Sequence, residues 1–302
     1  METGKSDRGD DFKFGGLGVA MITPFARDLS IDYDALERMI DHIIQGGADY
    51  IVVMGTTAET PTLSLAEKEK LRKYICNYNA ARVPLVLGLG GNCTSRITDE
   101  LKTTDLTGYS AILSVAPYYN KPSQRGLYLH FSEIAKASPL PVILYNIPGR
   151  TGVNITPDTC IRLARDHKNI IAVKEACGNL EQIQEILDRK PDSFAVISGD
   201  DSLSYSLIKQ GAAGVISVAG NAFPDLCSEM IHLCLDRKFD EARKIDIRLT
   251  KLYAELFRDG NPAGIKSLLH SMGMIENVLR LPLIPAGEET EAHLREILEE
   301  LK

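Results

Sequence analysis

From Gly16 onward the chain alternates between short apolar runs rich in β-branched residues and longer stretches whose apolar positions repeat with helical spacing. The short runs predict strands at 17–24, 49–54, 83–89, 109–116, 140–146, 169–175, 194–199 and 212–218, each bounded by Gly, Pro, Asn or Asp. The intervening stretches carry helix-start signals. Ser64-Leu65-Ala66-Glu67 reads as a capping box, and Thr156-Pro157 places a cap before a proline at the first helical position. Regular alternation of strand and helix predicts a parallel sheet. Eight such units close into a (β/α)8 barrel of the TIM type. An open doubly wound sheet would want a glycine-rich phosphate turn after its first strand, where this chain has Ile22-Thr23-Pro24-Phe25. Past residue 236 the pattern is purely helical, with amphipathic stretches near 238–258, 262–272 and 289–301. The expected fold is therefore α/β: a polar tail at 1–13, the barrel at 14–235 and a C-terminal helical extension at 236–302.

Charge and composition remove several classes of function. Lys and Arg total 34 against 41 Asp and Glu, a net charge of -7, and no stretch gathers enough basic side chains to neutralise a phosphate backbone, so nucleic acid is not an expected partner. No run of apolar residues is long enough for a bilayer, and the charged opening has no apolar segment behind it; a cytoplasmic protein is expected. The six cysteines never form C-x-x-C and read as small core side chains. The six histidines are scattered, mostly in predicted helices where a solvated role is expected, and none forms H-E-x-x-H. Neither a metal nor another cofactor is expected. No G-x-S-x-G elbow supports a serine hydrolase.

In such a barrel the chemistry stands at the C-terminal ends of the strands. There the chain places Gly55-Thr56-Thr57-Ala58-Glu59, Pro117-Tyr118-Tyr119-Asn120, Tyr145-Asn146-Ile147-Pro148-Gly149-Arg150, Lys174-Glu175 and Gly199-Asp200-Asp201. Lys174 ends an apolar run, Ile170-Ile171-Ala172-Val173, and by period two shares a face with Ile170 and Ala172. Such a lysine either pairs with Glu175 or Asp200, or points into the barrel mouth. Desolvated there, it offers an amine suited to a Schiff base with a carbonyl substrate. Tyr145 ends the preceding strand, where its hydroxyl can shuttle protons. Thr56 and Thr57 suit a carboxylate or a proton relay, and Arg150 suits a second carboxylate. Asp200 and Asp201 are expected to cap the helix beginning near Ser202.

Taken together, these stretches resemble the dihydrodipicolinate synthase family of class I aldolases. The resemblance runs from about Gly18 to Leu283, through Gly18-Val19-Ala20-Met21-Ile22-Thr23-Pro24-Phe25, Gly55-Thr56-Thr57-Ala58-Glu59, Ala116-Pro117-Tyr118-Tyr119-Asn120-Lys121-Pro122, Leu144-Tyr145-Asn146-Ile147-Pro148-Gly149-Arg150-Thr151-Gly152, Val173-Lys174-Glu175-Ala176 and Ser198-Gly199-Asp200-Asp201. It implies a homotetramer that condenses pyruvate with L-aspartate 4-semialdehyde. Lys174 would form the Schiff base and Tyr145 donate protons, with Thr57 and Tyr119 completing a relay and Tyr119 reaching into a neighbouring subunit. Thr56, Thr57, Gly199 and Ile216 would line the pyruvate site, and Arg150 would take the semialdehyde carboxylate. One position departs. The glycine usual after the two threonines is Ala58 here, which a left-handed backbone would tolerate poorly. The alternatives are another Schiff-base aldolase, such as N-acetylneuraminate lyase, and a non-catalytic barrel. Arg150 argues against the first, and the presence of Lys174, Tyr145, Thr57 and Tyr119 together argues against the second.

Overall fold

The computed structural model describes residues 14–301, so the tail expected at 1–13 lies outside the described residues. Strands β1 (Gly16–Ala20), β2 (Tyr50–Val53), β3 (Leu85–Gly88), β4 (Ala111–Val115), β5 (Val142–Asn146), β6 (Ile170–Glu175), β7 (Ala195–Ser198) and β8 (Gly214–Ser217) all run parallel. They close in sequence order, with Gly16 of β1 opposite Gly214 of β8. Between them lie α1 (Tyr33–Gln45), α2 (Leu65–Asn79), α3 (Thr94–Thr103), α4 (Gln124–Ala137), the short α5 (Pro148–Thr151), α6 (Pro157–Asp166), α7 (Leu180–Arg189) and α8 (Asp201–Lys209). After β8 come α9 (Pro224–Leu235), α10 (Phe239–Glu255), α11 (Ala263–Ser271) and α12 (Glu288–Leu301). Each expected strand and each of the three C-terminal helical stretches is present. Among the described residues no helix is long and apolar enough to cross a membrane.

Two layers of core follow from the alternation of side chains along each strand. Inside the barrel, Tyr50, Val52, Val86, Leu113, Ile143, Tyr145, Ala172, Ile197 and Ile216 fill the lumen. Phe14 closes its N-terminal end, edge-on to the Tyr50 ring at 5.7 Å. Gly18 faces that ring, and a Cβ on it would sit 2.2 Å from a ring carbon, so only glycine admits the large aromatic. The opposite strand faces pack a much larger layer against the helices.

Local departures from the sequence reading each have a physical cause. β1 ends at Ala20 rather than 24, because the buried Asn221 side chain, not a strand, accepts from the Ile22 amide. At the start of β6 the register against β5 slips, with Val142 opposite Ile170 but Ile143 opposite Ala172. That extra residue turns Ile170 to the outer layer, so it does not share the inner face with Ala172. α2 begins at its capping box, Ser64 Oγ accepting from the Glu67 amide and Glu67 Oε2 from the Ser64 amide. α6 starts at Pro157 as expected, but Thr156 does not cap it; its hydroxyl donates to Gln124 Oε1 of α4. All six cysteines are free, yet only Cys160, Cys227 and Cys234 are buried, and Cys93 is exposed. His130 is likewise no solvated helix residue, being buried with Nδ1 2.8 Å from Thr94 Oγ1.

Candidate active site

β5 and β6 carry Tyr145 and Lys174 in direct register, so both side chains leave neighbouring strands on the inner face. Lys174 is 6% exposed, and its Nζ lies 4.3 Å from the centroid of the Tyr145 ring. Neither candidate counter-ion reaches it. Glu175 points to the outer face, where Asn146 Nδ2 donates to its carboxylate at 3.0 and 3.2 Å and burial raises its pKa. Asp200 caps α8, accepting from the Ser202 amide at 2.9 Å. Among the described residues no carboxylate pairs with Lys174. A buried amine beside a phenol, without an anion to hold it, is an arrangement for nucleophilic attack with acid–base help.

Room for that amine is set by Gly199, at the end of β7. A Cβ there would stand 2.8 Å from Ala176 Cβ, 2.9 Å from the Glu175 carbonyl oxygen and 3.0 Å from Lys174 Cε. Gly199 thus acts first by making way for the lysine. Ile216 of β8 is 1% exposed in the same lumen. Asp201 does not share the capping role. It is buried, its pKa is raised by that burial, and Oδ2 accepts from the Val218 and Ala219 amides at 2.9 and 3.0 Å, fastening the loop that follows β8.

Thr56, Thr57 and Ala58 form one 3-10 turn beyond β2. The left-handed residue is Glu59, at φ 53°, and not Ala58, so the alanine meets no backbone penalty here. Thr23 Oγ1 donates to the Ala58 carbonyl at 2.8 Å. Thr57 is 2% exposed and accepts at Oγ1 from Asn261 Nδ2 at 3.0 Å, whereas Thr56 is half-buried. Glu59 is fully enclosed. Lys266 Nζ contacts its Oε1 at 2.5 Å, and the Arg280 amide donates to Oε2 at 3.0 Å. Both cations lie over the Phe25 ring, at 4.2 and 4.3 Å, and the Arg280 guanidinium forks onto Glu67 of α2.

Asn261, Lys266 and Arg280 are missing from the sequence reading. They sit in helical or linking segments, far along the chain from the loop they hold, and no local pattern marks them. Arg150, exposed on α5, donates from Nη2 to the Asn261 main-chain oxygen at 3.1 Å, which brings it to the same side of the barrel as Thr57. Tyr119 is not gathered in. It is 89% exposed on a loop with φ 73°, and no hydrogen bond of its side chain is formed within the described residues.

Comparison with known proteins gives the same reading. The dihydrodipicolinate synthetase family model matches residues 13–301. The 4-hydroxy-tetrahydrodipicolinate synthase of Phocaeicola vulgatus is 54% identical over 287 residues, 95% of this chain and 97% of that protein. That of Parabacteroides distasonis is 53% identical over 96% of this chain and 98% of its own. Among solved structures, dihydrodipicolinate synthase from Aquifex aeolicus superposes with a TM-score of 0.92 at 42% identity, covering 95% of this chain and 98% of that one. With barrel, lysine, tyrosine and threonine loop in these positions, the chain belongs to the dihydrodipicolinate synthase family.

Proposed function

We propose that the chain condenses pyruvate with L-aspartate 4-semialdehyde, the lyase reaction of 4-hydroxy-tetrahydrodipicolinate synthase, through a Schiff base on Lys174. The observation that carries this reading is a buried lysine with no carboxylate partner among the described residues, set against a tyrosine ring. Lys174 Nζ adds to the keto carbon of pyruvate, and loss of one water leaves the imine. Its cationic nitrogen then draws electrons from the neighbouring methyl group, which gives up a proton and adds to the aldehyde. The lysine is itself the electron sink, so the step calls for no metal or other cofactor.

Tyr145 delivers and collects the protons, in series with Thr57 and with Tyr119 from a second copy of the chain. The exposure of Tyr119 in the single chain supports that assignment, and a homotetramer supplies the second copy. Thr56 and Thr57 receive the pyruvate carboxylate, Gly199 and Ile216 shape the pocket around the imine, and Arg150 takes the carboxylate of the semialdehyde. A cytoplasmic setting fits these small soluble substrates.

Borohydride added with pyruvate should fix an adduct on Lys174, located by peptide mass spectrometry. Product should form with aspartate 4-semialdehyde and not by cleavage of N-acetylneuraminate. A label on another lysine, such as Lys121, overturns the mechanism, and sugar-acid cleavage at a comparable rate overturns the substrate.

A further inference from the structure

Thr57 is the point where the proposed relay meets the segment between α10 and α11. Asn261 belongs to that segment, is 7% exposed, and reaches across 204 residues of sequence to donate its amide to Thr57 Oγ1. Its Oδ1 is buried and has no partner among the described residues. Its main-chain oxygen receives Arg150. One short stretch therefore touches both the relay hydroxyl and the arginine assigned to the second substrate.

A threonine hydroxyl carries one hydrogen and two lone pairs. With one lone pair taken by the Asn261 amide, the hydroxyl cannot donate back to that nitrogen and must send its own hydrogen elsewhere. We propose that Asn261 is a positioning residue that fixes the direction in which Thr57 donates its proton, toward the reacting centre and away from the C-terminal helices. This rests on the relay reading above. The second hold on the loop, Lys266 and Arg280 on Glu59, keeps the backbone of the turn in place independently of Asn261, so the two roles are separable: Glu59 fixes where the loop sits, Asn261 which way its hydroxyl points.

The test compares Asn261→Asp with Asn261→Ala in the full-length chain. Aspartate is close to isosteric, but when ionised it can only accept, so Thr57 would turn its hydrogen back toward residue 261. At pH 8 the aspartate variant should lose kcat by about 10²-fold, the lower range for a general acid–base contribution, with KM for pyruvate little changed. Its activity relative to the parent should recover as the pH falls and the carboxyl regains a proton to donate. Alanine, which leaves the hydroxyl free to rotate, should lose less than ionised aspartate. Both variants keep the main-chain oxygen that holds Arg150.

An aspartate variant with the parent's kcat and pH profile overturns the proposal. So does an equal loss in both variants that tracks a fall in melting temperature and does not change with pH. A parent enzyme without a borohydride-trapped adduct on Lys174 would instead strike the functional reading itself, whatever residue 261 does.

Discussion

Two buried lysines, in two regions of this molecule, are held in opposite ways. Lys174 stands at the barrel mouth and Lys266 at the junction of α11 with the β2 loop, each over an aromatic ring at 4.3 and 4.2 Å. Lys266 is the more enclosed of the two, and burial pushes its pKa down to about 8 against the opposing pull of Glu59. Yet its Nζ is spent on Glu59 and the Val278 carbonyl. Among the described residues Lys174 has neither kind of partner. The proposed Schiff-base role therefore falls to the amine left without an acceptor and not to the more enclosed one.

The sharpest way to break the comparison is to convert each lysine to methionine. Lys174→Met should abolish the pyruvate-dependent label and turnover while leaving the denaturation midpoint near that of the parent, since no ion pair is lost. Lys266→Met should do the reverse. It strands the Glu59 carboxylate and should cost roughly 3–5 kcal/mol of unfolding free energy by urea titration, with Lys174 in the folded fraction still trapped by borohydride. If both variants failed in the same assay, the distinction would fall.

Gly199→Ala sharpens the first half. Its Cβ meets Ala176 Cβ, the Glu175 carbonyl and Lys174 Cε, so the strand ends or the amine must give by a few tenths of an ångström; as a misplacement of 1 Å costs about 10²-fold, imine formation should slow by about 10-fold, read by stopped-flow trapping with pyruvate. A parent-like rate would show that Lys174 is not held by that wall. His130 extends the comparison to a base the fold keeps uncharged. Burial pushes its pKa down to about 4 from 6.5, and Nε2 is buried with no partner among the described residues. With the folded value below the unfolded one, the unfolded chain takes up the proton first, so this contribution is full above about pH 6.5 and is lost as the pH falls toward 4. Going from pH 7 to 5 should remove on the order of 2 kcal/mol, and His130→Leu should flatten that slope in chemical denaturation. An unchanged slope in the variant would assign the acid sensitivity elsewhere.

What could be read in the sequence follows the range of the forces concerned. The strands show because each is a short apolar run between breakers, and Lys174 shows because a charged residue interrupts one of them. Tyr145 and Arg150 show through their place at a strand end. The one-residue slip before Ala172 has no sequence mark, since Ile170 and Ile171 are alike and only pairing with β5 decides which faces inward. Asn261, Lys266 and Arg280 are hidden for a related reason. Helical periodicity near 262–272 assigns a lysine to solvent by default, and its carboxylate lies 207 residues away. Asp201 and Asn221 fill backbone donors left open where strands end, a need visible only once the barrel has closed.

The long reach of those contacts has a consequence for the chain during its synthesis. By the time residue 217 has left the ribosome every strand of the barrel exists, Lys174 and Tyr145 included. The threonine turn, however, waits for partners 204, 207 and 221 positions downstream of Thr57 and Glu59. Contacts of such separation form late, after the local ones. A nascent or truncated chain ending before Asn261 would therefore carry Lys174 and Tyr145 in a closed barrel without the hold on Thr57. Completion of translation, rather than closure of the barrel, is the event that fixes the threonine turn, the chain's own share of the proposed relay.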